Sequence, residues 1–141
     1  RSGKFFTFLI LTKYKYSYLL MSRAQLKKTL TVIKKQCIPK IGVSEEKVSK
    51  IEQGVFPEER NVMCYITCVY RTMQVMKNDR LNKQFVMKQV DVLYPVEMRA
   101  AVKKGIDICF DVQDNYTDTC EAVFYSTKCL YEFDPENFVF P

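Results

Sequence analysis

Six cysteines in a chain without a single histidine constrain this sequence more than any other feature. Two of them, in the stretch Cys64-Tyr65-Ile66-Thr67-Cys68, stand one helical turn apart. A zinc site needs four ligands, commonly two close cysteine pairs or a mixture of cysteine and histidine. Cys109, Cys120 and Cys129 are separated by ten and eight residues, so no second close pair exists, and no histidine completes a mixed site. A thioredoxin-type redox motif has two intervening residues beside a βαβ pattern, and neither is present. The sequence therefore predicts no metal and no cofactor. An even number of cysteines in a small chain points instead to disulfides formed in an oxidising compartment.

The remaining bounds fit a small secreted domain. With 141 residues, 48% of them hydrophobic, the chain supports one domain with a modest core. The formal charge of +6 would suit an acidic partner. However, Arg1, Lys4, Lys13 and Lys15 all precede the first acidic residue, Glu45, and without residues 1–20 the excess falls to two. Nucleic acid is therefore not an expected partner. Residues 1–20 open on basic residues and carry an apolar run from Phe5 to Leu11, the pattern of a secretion signal, and Lys13 and Lys15 interrupt it far short of the roughly 20 residues that span a bilayer. We read residues 1–20 as a signal-derived leader or N-terminal extension and residues 21–141 as a single domain.

From Ser22 the punctuation is helical. Leu26, Leu30 and Ile33 share a face opposite lysines, and Pro39 is the expected stop of a first helix. Ser44 opens a second, short helix with two glutamates in its first turn, ending at Gly54. A third is expected from Pro57 to about Lys77, broken by Asn78-Asp79-Arg80. A fourth carries Phe85, Val86, Val90 and Leu93 and stops before Pro95. The fifth starts at Pro95 and runs to Cys109, with Gly105 costing about 1 kcal/mol in its interior. Thr117 or Asp118 caps the sixth, with Glu121 completing a capping box, and it ends near Pro135. Hairpin dipeptides such as Asn-Gly are absent. The predicted class is all-α, about six helices.

Helix geometry trims the disulfide pairings without settling them. Cys120 and Cys129 lie nine residues apart on one helix, about 13.5 Å along its axis, too far for a disulfide. Cys64 and Cys68 project from nearly the same side of another, each better placed to reach a neighbour than the other. Excluding these two local pairs leaves ten of the fifteen pairings. Asn115-Tyr116-Thr117 forms a glycosylation sequon, which a turn asparagine followed by a capping threonine equally explains.

The cysteine intervals of 26, 3, 40, 10 and 8 residues resemble those of the six-cysteine insect odorant-binding proteins, including the pheromone-binding type. Met63-Cys64-Tyr65, Cys68-Val69 and the apolar chain end Asn137–Pro141 add to the resemblance, which runs from about Met21 to Pro141. It implies pairs Cys37–Cys68, Cys64–Cys120 and Cys109–Cys129, stapling the helices around an internal apolar cavity. It also implies a secreted carrier that reversibly binds a small hydrophobic ligand and moves it through lymph-like fluid. The implied wall takes Ile66, Tyr70, Met73 and Val75 from the third helix. Leu81, Phe85, Met87 and Val90 come from around the fourth, and Met98, Val102 and Ile106 from the fifth. Val123, Thr127 and Leu130 come from the sixth, and Phe138, Val139 and Phe140 fold back as a plug. Each of these would otherwise read as ordinary core.

Members of that family often release ligand in acid through histidines. This chain has none, so acid release would have to use carboxylates such as Asp118, Glu132, Asp134, Glu136 or the terminal carboxyl group. No Ser-His or Cys-His couple, paired-carboxylate motif or phosphate loop supports an enzyme. The competing class is a secreted helical interaction protein, cytokine-like or saposin-like. Membrane or receptor contact and pairing of two copies stay open.

Overall fold

The computed structural model describes residues 22–141; the leader assigned to residues 1–20 lies outside them. Among the described residues six α-helices form: α1 Arg23–Ile41, α2 Glu45–Val48, α3 Arg60–Thr72, α4 Lys83–Leu93, α5 Val96–Cys109 and α6 Thr119–Phe133. Short 3-10 turns at Ile51–Gln53, Phe110–Asn115 and Pro135–Asn137 link or extend them.

The caps show why several elements begin and end where they do. Ser22 and Gln25 form a reciprocal capping box at the start of α1. Pro39 does not stop that helix. Its ring occupies the last turn, where one missing N–H forfeits a single ladder bond, and the chain leaves the helix at Gly42, whose φ of +78° takes the left-handed cap. The Val43 N–H then reaches back to the Ile38 carbonyl at 3.3 Å. The second helix is shorter than expected: one α turn, then a 3-10 turn ending at Gly54. Gly54 has a φ of +93° and lies flat against the Tyr131 ring, where any Cβ would collide. At α6 the cap is Asp118, which accepts the Glu121 N–H at 2.9 Å.

The third helix departs most from expectation. It starts at Arg60 rather than Pro57 and ends at Thr72, and residues assigned to its last turn form a small antiparallel hairpin, β1 Met76–Lys77 with β2 Arg80–Leu81. Met76 faces Leu81 and Lys77 faces Arg80 across a two-residue connection, Asn78-Asp79, in which both φ angles are positive, at 52° and 61°. Such connections favour Asn-Gly, yet asparagine and aspartate also tolerate the left-handed region, so the hairpin forms without glycine. It is tied to the Phe110–Asn115 turn by Gln113, whose buried amide accepts from the Leu81 N–H at 3.0 Å and donates to the Leu81 carbonyl at 3.2 Å. Arg80 adds donations to the carbonyls of Gln113 and Tyr116.

α3 is the central rod and packs most extensively against α6 and α1. Val62, Tyr65, Ile66 and Val69 bury fully from it, and Val123 and Phe124 face them from α6. A smaller cluster joins Leu26 and Leu30 of α1 to Met98 of α5 and Val139 near the chain end. Three disulfides reinforce this arrangement. Cys37–Cys68 ties α1 to α3, Cys64–Cys120 ties α3 to α6, and Cys109–Cys129 ties α5 to α6, with Cα separations of 5.8, 4.9 and 5.8 Å. One pairing of the ten that geometry had left open is thus selected, and it is the one the resemblance implies.

Candidate functional site

Two small, partly open chambers of about 40 Å3 each lie at the edge of the interior. The first lies between the hairpin, α4, α5 and α6, and is walled by Leu81, Val86, Ile106, Phe110 and Leu130, with Thr127 at its side. The second lies toward the chain end, walled by Tyr94, Val102, Phe133, Phe138 and Val139, with Asp134 and Asn137 as its polar groups. Tyr70 and Leu130 belong to both walls, so these two side chains stand between the chambers. Gly105, which the sequence marks as a helix-weakening residue, is explained here: an added Cβ would meet the Phe133 ring at 3.3 Å and Leu130 at 3.5 Å. Its missing side chain lets α6 approach α5.

Of the residues the resemblance implies, the structure brings Tyr70, Leu81, Ile106, Thr127 and Leu130 to the first chamber. Val102, Phe138 and Val139 stand at the second. Ile66, Val75 and Val123 are filled core and line neither chamber, and Met73 packs between the two core clusters. Val90 and Met98 are buried away from both chambers, and Met87 is half-buried. Phe85 is 39% exposed and borders a wide, solvent-facing groove with Arg71, Met76 and Lys88. Phe140 lies behind Tyr70, ring centroids 5.7 Å apart. Sequence reasoning missed Val86, Tyr94, Phe110 and Phe133; Tyr94 had signalled only the helix stop before Pro95.

The chain end is held rather than loose. Phe138 and Phe140 stack nearly parallel, at an interplanar angle of 8°. The Tyr65 hydroxyl donates to the Pro141 carbonyl at 3.0 Å, the Phe140 N–H to the Glu52 carboxylate at 3.3 Å, and Arg23 to the Glu136 carbonyl at 2.7 Å.

Few polar groups reach the chambers. Thr127 and Ser126 each turn their hydroxyl onto a carbonyl one turn back, Val123 at 2.7 Å and Ala122 at 2.8 Å. Thr127 has one hydrogen, so the shorter bond to Val123 dominates and the 3.4 Å contact between Thr127 Oγ1 and the Tyr70 hydroxyl is long and weak. Burial pushes Tyr70 up to about 12, with the Thr127 contact opposing slightly. Burial also raises Tyr94 well above the usual phenol, with Tyr70 adding to it. Both phenols therefore stay protonated at neutral pH. Among the described residues no cluster of three or more His, Cys, Asp or Glu side chains is arranged to hold a metal.

The PBP/GOBP family model matches residues 20–133. The chain belongs to the PBP/GOBP family. General odorant-binding protein 72 of Anopheles gambiae is 31% identical over 121 residues, covering 86% of this chain and 99% of that protein. General odorant-binding protein 19a of Drosophila melanogaster is 31% identical over 108 residues, covering 74% and 73%. Among solved structures, Apis mellifera odorant binding protein 5 superposes with a TM-score of 0.76 at 29% identity, covering 86% of this chain and 99% of that one. Odorant Binding Protein 4 of Chrysopa pallens gives 0.77 at 32% identity, covering 86% and 100%. The all-α fold is that of these odorant-binding protein structures, and this chain carries three disulfides in it.

One pH prediction follows from the ionisable groups. The Asp118 carboxyl is held below its ordinary value by the Arg60 guanidinium hydrogen-bonded to it, then by the Glu121 backbone N–H. Its small, solvent-screened stabilisation is present above the ordinary carboxylate value and fades as pH falls through the lowered one. Tyr65, Tyr70 and Tyr94, all raised chiefly by burial, act oppositely: their contribution is complete below the ordinary phenol value and is lost as pH climbs through the raised ones. Thermal melts should be nearly flat from about pH 5 to about pH 9, then fall on both sides. Tyrosinate absorbance should rise in two phases, the later one coinciding with unfolding. A stability step centred at about pH 6 would contradict this reading.

Proposed function

We propose that this protein is a secreted carrier that takes up a small apolar ligand reversibly and moves it through extracellular, lymph-like fluid without transforming it. Residues 1–20 would be the leader that directs secretion, and residues 21–141 the carrier domain. The observation that carries the reading is the pair of adjoining chambers, the first apolar and the second mixed, that share Tyr70 and Leu130 in a disulfide-stapled fold.

The ligand is held by burial. Micromolar affinity corresponds to about 8 kcal/mol, which at about 25 cal/mol per Å2 requires about 330 Å2 of apolar surface to leave water. Neither 40 Å3 chamber encloses a molecule that size, since pockets for such ligands usually exceed about 300 Å3. The ligand therefore displaces the Tyr70 and Leu130 side chains and joins the chambers. Leu81, Ile106 and Thr127 contact it on one side of that partition, and Val102 and Phe138 on the other.

The large exposed apolar residues, Val32, Val55, Phe85, Val96, Ile108 and Phe133, are spread over several elements, and none of them singles out a face for a cytokine-like or saposin-like role. Receptor, membrane or self-contact during delivery belongs to this proposal as a later step. Saturable binding of a fluorescent apolar probe, with one bound molecule per chain in native mass spectra, is the expected result. Absence of saturable binding to the oxidised protein would sink the carrier reading.

A further inference from the structure

We propose that Asn115 is a site of N-linked glycosylation, taking an oligosaccharide from a polyprenyl diphosphate donor as the chain passes through the secretory compartment. This inference rests on the secretion part of the carrier reading and adds a covalent modification to it. Asn115-Tyr116-Thr117 is the only Asn-X-Ser/Thr triplet in the sequence, and its middle residue is not the proline that would disqualify it.

Two local roles would account for these residues without a sugar, and the structure gives both to other groups. The cap of α6 is Asp118, whose side chain accepts the Glu121 N–H at 2.9 Å, so Thr117 stays outside the helix. The turn before it closes through the backbone, with the Tyr116 N–H donating to the Gln113 carbonyl at 3.2 Å, and the Asn115 side chain takes no part. Asn115 and Thr117 are both exposed, and their side chains hold no hydrogen bond among the described residues. Other asparagines are put to local use: Asn82 caps α4 by accepting the Phe85 N–H at 3.0 Å, and Asn137 donates to Asp134 at 2.8 Å.

The residue between them sets the geometry. Tyr116 is extended, with φ −130° and ψ 132°, a conformation that turns the side chains on either side of it the same way. Its own ring is half-buried, stacked on Tyr125 at a centroid separation of 4.7 Å and an interplanar angle of 12°, and the Arg80 guanidinium donates to its carbonyl at 2.7 Å. The Asn115 amide and the Thr117 hydroxyl therefore stand outward together, the pair of groups that a transferase reads. In the transfer, Asn115 Nδ2 attacks the anomeric carbon of the donor: a C–N bond forms as the anomeric C–O bond to the diphosphate breaks, polyprenyl diphosphate departs, and one amide proton passes to solvent. No residue from 111 to 119 lines either chamber, so a sugar here leaves the binding space clear.

The test is translation of the full chain behind an added secretion signal, in a lysate supplied with microsomal vesicles, followed by mass spectrometry of the protease-protected product. That product should be heavier than the polypeptide, lose the whole excess to a peptide N-glycosidase, and then read aspartate at position 115. Asn115→Gln and Thr117→Ala should each abolish the excess, and Thr117→Ser should keep it in part. A protected wild-type chain at the bare polypeptide mass, or an excess that survives Asn115→Gln, would overturn the inference. Because the added signal delivers the chain whatever residues 1–20 do, a bare product counts against the site and leaves secretion and carriage standing. Asn115→Gln should bind N-phenyl-1-naphthylamine as the wild type does; a probe that binds neither protein removes the carrier reading, while the mass excess still decides the site.

Discussion

Replacing Cys64 and Cys120 together by alanine is expected to lower the unfolding free energy by about 4 kcal/mol. This bridge closes the longest of the three loops, with a sequence separation of 56, against 31 for Cys37–Cys68 and 20 for Cys109–Cys129. In the chain-entropy account, a longer closed loop removes more freedom from the unfolded chain, so the Cys109–Cys129 double replacement should cost about 1 kcal/mol less. Both cysteines must be changed, because a lone thiol invites wrong pairing. The bridge also joins α3 to α6, the pair of helices in most extensive contact, so the packed interface survives its loss. Denaturant unfolding of the double variants checks this. A loss below about 1 kcal/mol for the Cys64–Cys120 pair would mean that packing alone already confines these two helices.

Phe140→Ala is expected to act in opposite directions on stability and on binding. The ring is 6% exposed and packs against Tyr65, Tyr70 and Phe138, with centroid separations of 6.3, 5.7 and 6.1 Å. Truncating a buried phenylalanine costs about 3–5 kcal/mol; a position one residue from the chain end, where neighbours can settle, belongs near the lower figure. The volume released lies directly behind Tyr70. That phenol can then swing out of the partition at little expense, so a ligand no longer has to displace it against packed neighbours, and probe affinity should rise about threefold to tenfold while the melting temperature falls. Calorimetry and probe titration on the same sample decide the matter. If binding weakens along with stability, Phe140 is part of the ligand's wall and not the wedge that keeps Tyr70 in place.

The amount of this molecule legible in its sequence differed from element to element, for physical reasons. The helical pattern of Leu26, Leu30 and Ile33 was readable because side chains three and four apart share one face; Leu26 and Leu30 are buried and Ile33 is half-buried. Pro39 misled because its cost depends on position: in a last turn it removes little, and Gly42 decides the end. The Met76–Leu81 hairpin was invisible because its connection uses Asn78-Asp79 without glycine, and its stability comes from Gln113, more than thirty residues away. The chambers were legible only in part. Ile66 and Tyr70 lie one turn apart on the same face of α3, yet one is solid core and the other borders empty space. Periodicity reports which face points inward, and what α5 and α6 bring opposite that face decides whether it meets atoms or a void. Tyr94 escaped notice because its neighbour Pro95 explained it locally, while its side chain acts through contacts distant in sequence.

Cysteine placement also divides the helices into two kinds. α1, α3, α5 and α6 are welded into one covalent frame, whereas α2 and α4 contain no cysteine; α4 is held by the hairpin before it, the Tyr94-Pro95 link after it, ion pairs Lys83–Asp107 and Asp91–Lys103 to α5, and the Gln89 amide donated to the Met73 carbonyl. Leu81 and Val86, at and just beyond that first link, wall the first chamber. The molecule thus combines a covalently crosslinked casing with a wall helix held by noncovalent ties and its two chain connections alone.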